Sequence, residues 1–136
     1  MKTTSVVHYL GNLRTSCQHS YSGAIFITDA PLDNQGLAEA FSPTDCVSTA
    51  LASCMMTLMG IAARTHTIDL SGMQAEVFKV MAADPRRISE IRIIFSFQKA
   101  YTQKEQALLE NTARHCPVAK SLHPDIHQNI LFNWQN

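Results

Sequence analysis

The stretch from Phe41 to Arg64, FSPTDCVSTALASCMMTLMGIAAR, decides how the rest of the chain is read. Ser42 suits an N-cap, Pro43 the first helical position, and Asp45 stands three residues after the cap. A short acid there also complements the positive end of a helix dipole. Cys46 to Ala63 carries no charge, and Cys54 lies near the middle of the run. As one helix the stretch spans roughly 33 Å at ~1.5 Å per residue, enough to cross a small domain.

Eighteen uncharged residues invite comparison with a membrane span. Ser48, Thr49, Ser53, Thr57 and Gly60, with two cysteines, make the run only moderately apolar, and no one-sided basic cluster orients it. The expectation is a helix buried on most sides, because an exposed face would show a polar stripe. Small residues along it, such as Ala52, Gly60 and Ala63, allow close approach by other elements. In so short a chain the cover must come from nearly everything else, a partner subunit included.

At 136 residues the chain is expected to form a single domain, 1–136, with a real core. Charged residues make up 16%, below the usual quarter, which leaves room for a large subunit contact. Zero net charge argues against a nucleic-acid partner and a polybasic membrane anchor. The opening MKTTSVVHYLGNLRTS has no continuous apolar core of a signal peptide, so a cytoplasmic, reducing setting is the expectation. There, four cysteines are redox-active, metal-binding or inert more readily than a structural disulfide set.

Residues 3 to 9 are β-branched and aromatic and predict a strand. Gly11-Asn12 turns it into a partner over 13–19, and 23–28 makes a third strand. Residues 30–40 form a loop leading into the long helix. Beyond Arg64, 68–81 and 88–98 predict an antiparallel hairpin around Asp84-Pro85-Arg86-Arg87, with Ile91, Ile93, Phe95 and Phe97 on one face. Thr102 and Glu105 form a capping box for a second helix. Pro117 starts a short third helix over 118–122 with Cys116 as its N-cap, and 127–134 closes as a strand. The order is β-β-β-α-β-β-α-β, an α+β fold with antiparallel sheets around a long central helix.

The two helix thiols are the candidate chemistry. Cys116, at a helix start, is in the environment that lowers a thiol pKa. Cys54 lies about eleven residues inside its helix, beyond the reach of the dipole. A free thiol of pKa ~8.5 is only a few per cent ionised at pH 7, and burial reduces that fraction. A nucleophilic Cys54 therefore needs a nearby cation. Arg64 is ten residues on, ~15 Å along the helix. Arg14, on the first hairpin, is the first choice, with Arg86 and Arg87 of a partner subunit as alternatives. Against a catalytic role, Cys54 reads as an inert buried thiol. Cys17 and Cys46 read as a strand residue and a core residue. Met55, Leu58 and Met59 suit an apolar guest near Cys54, though methionines here also read as core packing. His115, Cys116, His123 and His127 raise a zinc site, but Pro124 interrupts the helix that would align the pair and no CxxC accompanies them, so no metal and no cofactor is expected.

The motif SPTD-x8-C at 42–54, with ALASCM around the cysteine, followed by HCPV-x3-L at 115–122, resembles the OsmC/Ohr family of osmotically inducible and organic hydroperoxide resistance proteins. The resemblance spans nearly the whole chain and includes ADPRRISEIRIIF at 83–95. It implies an intertwined homodimer with its active site at the subunit interface. It implies a thiol peroxidase of the oxidative stress response, in which Cys54 is the peroxidatic cysteine and Cys116 the resolving one. Cys54 would attack an organic hydroperoxide, become a sulfenic acid and close a disulfide with Cys116, which a thiol reductant, in one branch a lipoylated protein, would reopen. Two departures stand out. The hydroperoxide branch has a Glu that orients the catalytic Arg where this chain has Thr44, and its acid comes one residue later, at Asp45. Asp45 is ~180° around the helix from Cys54 and reads as a helix cap or an Arg orienter. Arg14 matches the Arg of that branch only loosely. The competing reading is a redox-sensing or apolar-ligand-binding protein without efficient peroxidase activity.

Overall fold

A hairpin of β-branched residues opens the chain: β1 (Ser5–Gly11) and β2 (Arg14–His19) pair antiparallel, and β3 (Ile25–Asp29) adds to β2. The computed structural model describes residues 1–135, which divide into two units, Met1–Val47 and the segment from Ser48 onward. The first unit holds this three-stranded sheet, a 3-10 turn at Leu32–Asn34, and the first turn of the long helix α1 (Pro43–Thr65). Gly36 passes so close to Ala30 that a Cβ there would fall 1.7 Å from the Ala30 carbonyl oxygen, so only glycine fits. Within this unit the sheet is apolar and open on both faces. Val6 and Ile25 on one face, and Val7, Tyr9 and Phe26 on the other, are all exposed.

The second unit contains the core. β4 (Gln74–Ala82) and β5 (Arg87–Ser96) form the expected antiparallel hairpin, with Val77 opposite Ile93. β5 alternates as the sequence predicts: Ile91, Ile93 and Phe95 are fully buried, while Arg92 is exposed. They pack with Leu51, Met55 and Met59 of α1 and Leu109 and Ala113 of α2 (Gln103–Arg114). Each such large apolar side chain contributes about 1.5–3 kcal/mol on burial. Phe97 stacks on Trp134 at a centroid distance of 4.1 Å, and the Trp134 indole N–H donates to Glu110 Oε1 at 2.8 Å. The Thr102–Glu105 capping box of α2 is present in both directions.

Three expectations are corrected. The hairpin strand begins at Gln74, not Ile68. Residues before it turn instead: Asp69 accepts the Ser71 backbone N–H at 2.9 Å, and Gly72 takes φ +84°. The closing strand β6 (His127–Asn133) lies parallel to β5, with Phe95 opposite Phe132, so the sheets are not wholly antiparallel. The connection through α2 and the short α3 (Pro117–Ser121) carries the chain back along the sheet, as a parallel crossover requires. Finally, α1 is buried on one face, through Ser48, Leu51, Ala52, Met55, Met59, Ala62 and Ala63, and not on most sides. Val47 and Ile61 are exposed, because one chain supplies elements to pack only one side of the helix. By length and composition α1 would pass for a membrane span, yet that buried face belongs to the core.

Candidate active site

The start of α1 is built by reciprocal capping. Ser42 Oγ accepts the Asp45 N–H at 3.1 Å, and Asp45 Oδ2 accepts the Ser42 N–H at 3.0 Å. Together these bonds satisfy two groups at the helix entrance. The carboxylate of Asp45 is thereby occupied at the cap of its own helix.

Cys54 follows about two and a half turns later. It is half-buried, against the core cluster that contains Cys116, which is fully buried. Cys116 is the N-cap of α3, and its sulfur accepts the Ala119 N–H at 3.4 Å. The fold brings the two thiols near enough for Cys54 to act on Cys116, although about sixty residues separate them.

The expectation that a helix start lowers the Cys116 pKa is overturned. Burial pushes the Cys116 thiol up, and the neighbouring Cys54 thiol pushes the same way, outweighing the N–H groups of Ala119 and Val118. A helix of five residues has little dipole to oppose that burial.

Arg14 sits at the start of β2, opposite Asp29 in the β2–β3 register. Its Nη2 donates to Glu39 Oε2 at 2.6 Å and to Asp29 Oδ2 at 3.2 Å. Asp29 is buried and also accepts the Glu39 N–H at 3.0 Å. That N–H, followed by Arg14, holds the Asp29 carboxyl below its ordinary range despite burial. Glu39 and Asp29 in turn raise Arg14. Asp29 and Glu39 had no part in the sequence reading. The signal available for Asp29 was the hairpin register, which places it across from Arg14; Glu39 comes from a loop whose path the sequence does not reveal.

Of the residues expected to line a substrate pocket, Met55 and Met59 are buried within the core cluster, and Leu58 is half-buried against it.

Residues 35–130 match the sequence model of the OsmC-like protein family. A crystal structure from Psychrobacter arcticus 273-4, provisionally named an osmotic stress induced and detoxification response protein, is 56% identical. It covers 98% of this chain and 97% of its own, with a TM-score of 0.95. An OsmC-like protein from Mycoplasma pneumoniae shares the fold at 14% identity and a TM-score of 0.81, over 100% of this chain and 99% of that one. The organic hydroperoxide resistance protein OhrB of Bacillus subtilis does so at 14% identity and a TM-score of 0.67, over 96% and 98%. No curated protein matches the chain.

Proposed function

The chain belongs to the OsmC-like protein family, and from that premise we propose that it is a cysteine-based thiol peroxidase that reduces organic hydroperoxides in the response to oxidative stress. The observation that carries this reading is the contact between the Cys54 and Cys116 thiols. Cys54, as thiolate, attacks the terminal peroxide oxygen. The O–O bond breaks, the alcohol leaves with a proton, and Cys54 becomes a sulfenic acid. Cys116 then attacks that sulfur, and water departs as the disulfide forms. An external dithiol, such as a lipoylated protein, reopens it. The contact leaves little distance for resolution. Arg14 is the proposed thiolate stabiliser, and Asp45 caps the helix that carries Cys54.

A homodimer fits the open apolar surface. Val6, Val7, Tyr9 and Phe26 of the first sheet, and Val47 and Ile61 of α1, are exposed in the single chain. Exposed apolar side chains in such number mark an interaction site. The active site is proposed to lie at that interface, in a cytoplasmic protein whose reductant is a thiol.

The second reading, a redox sensor or a binder of an apolar molecule, draws on the two carboxylates that occupy Arg14. A positive charge neutralised in this way has less to offer a thiolate.

Purified protein is expected to consume cumene hydroperoxide with dithiothreitol or reduced dihydrolipoamide, and Cys54→Ser to abolish turnover. If Cys54→Ser turns over as fast as wild type, the peroxidase reading fails.

A further inference from the structure

The first unit holds a second pair of thiols. Cys17 of β2 lies in register with Val7 of β1 and Phe26 of β3, so the three share one face of the sheet. Cys46 lies in the first turn of α1. Both cysteines line one cavity of about 340 Å³, together with Val7, Thr15, Phe26, Thr28 and Pro43. The floor is held by a hydroxyl pair, Thr15 to Thr28, and Thr15 Oγ1 also lies 3.7 Å from Cys17 Sγ. Both thiols are free and half-buried.

We propose that Cys17 and Cys46 are a second redox pair, which closes to a disulfide that ties β2 to the first turn of α1. Four arguments meet in this assignment. The two cysteines line a common, mainly apolar cavity. They belong to separate elements, so a bond between them would be a true cross-link. Burial, then Asp45, then Cys17 itself push the Cys46 thiol up, which requires Cys17 to be near enough to act on it. The oxidant class is the one a peroxide-facing protein meets.

The step balances with one hydroperoxide. Cys17, as thiolate, attacks the peroxide oxygen. The O–O bond breaks, the alkoxide takes a proton and leaves as alcohol, and Cys17 becomes a sulfenic acid. Cys46 loses its proton as it attacks the Cys17 sulfur, and the hydroxide released takes up a proton to leave as water. Two thiols are oxidised by two electrons and one peroxide is reduced. A bridge here would restrain the start of the helix that carries Cys54 eight residues further on.

The test separates this pair from Cys54 and Cys116. The full chain carrying Cys54→Ser and Cys116→Ser is treated with cumene hydroperoxide, quenched with N-ethylmaleimide and mapped by mass spectrometry. The expected result is loss of both remaining thiols in each chain, a Cys17–Cys46 peptide cross-link within one chain, and full recovery with dithiothreitol. Adding Cys17→Ser should leave Cys46 free to be alkylated. The same mapping on the reduced and oxidised wild-type protein guards against misfolding of the double variant. The proposal is overturned if Cys17 and Cys46 stay alkylatable in both proteins, or if the cross-links found join different chains.

Discussion

Cys116 and Cys54 lie near enough for one thiol to act on the other, and so a helix cap on α3 and a residue in the interior of α1 meet in one contact. The prediction drawn from it is that Cys116 serves as a hydrogen-bond donor to a Cys54 thiolate. Cys116→Ala removes the donor, whereas Cys116→Ser keeps both a donor and a good N-cap. A hydrogen bond to a charged acceptor is worth about 1.5 kcal/mol or more, and 1.4 kcal/mol is a tenfold change. Alkylation of Cys54 by iodoacetamide at pH 7, followed site by site, is expected to slow roughly tenfold in Cys116→Ala and to change little in Cys116→Ser. An unchanged or faster rate in Cys116→Ala would show that the bond does not favour the thiolate.

The core makes a second prediction by contrast of two phenylalanines. Phe95 on β5 is fully buried and stacks on Phe132 at 5.3 Å, whereas Phe78 on β4 is 45% exposed. Phe95→Ala should cost about 3–5 kcal/mol in urea unfolding. Phe78→Ala should cost about 0.5 kcal/mol or less if its face meets solvent. An equal cost at the two positions would mean that Phe78 is covered in the assembled protein.

Asp29 carries a prediction for acid conditions. Its carboxyl is held below the ordinary range by the Glu39 N–H and by Arg14. A carboxyl with a depressed folded pKa contributes stability above its unfolded value, about 3.9, and loses it as pH falls through the folded value. Asp29→Asn is therefore expected to lower the urea midpoint at pH 7 and to approach wild type by pH 3. A gap that persists unchanged at pH 3 would assign the loss to packing instead of charge.

Much of this architecture was legible because local signals were strong. The charge-free run between Ser42-Pro43 and Arg64 could only be a long helix, and the alternation from Ile91 to Phe97 marked its own buried face. The Thr102–Glu105 box announced α2. What could not be read depends on tertiary position. The direction of β6 follows from how α2 and α3 cross the sheet, and no pattern within residues 127–133 encodes it. The start of β4 was masked by apolar residues at Ile68 and Leu70, which are tied down by a turn whose carbonyl, at Asp69, accepts the Tyr101 hydroxyl from 32 positions away. Cys116 was misjudged for the same reason: helix position is visible in a sequence, and depth is not. The Cys54 and Cys116 motifs were visible as residues, but their contact is a product of the fold.

Depth also sets the response to alkali. Tyr101, Cys116 and Cys46 all have raised pKa values, burial being the largest cause in each. Asp69 then adds to burial at Tyr101, whose hydroxyl donates to the Asp69 carbonyl at 2.6 Å. Each group is neutral when protonated, and the folded chain holds that proton more tightly than the unfolded chain. Their ordinary values are 9.0 for the thiols and 10.0 for the phenol. Stability is therefore fully present below about pH 8.5 and falls as pH rises beyond it, because the unfolded chain releases protons first. Each group can add up to about 1.4 kcal/mol per pH unit to the slope. Urea unfolding under reductant should show a nearly constant midpoint from pH 7 to 8.5 and a steepening fall towards pH 11. Tyr101→Phe should lose about 1 kcal/mol at pH 7 with its hydrogen bond and then decline less steeply than wild type above pH 10. Parallel declines in the two proteins would remove Tyr101 from this account, and a flat wild-type curve would remove all three groups.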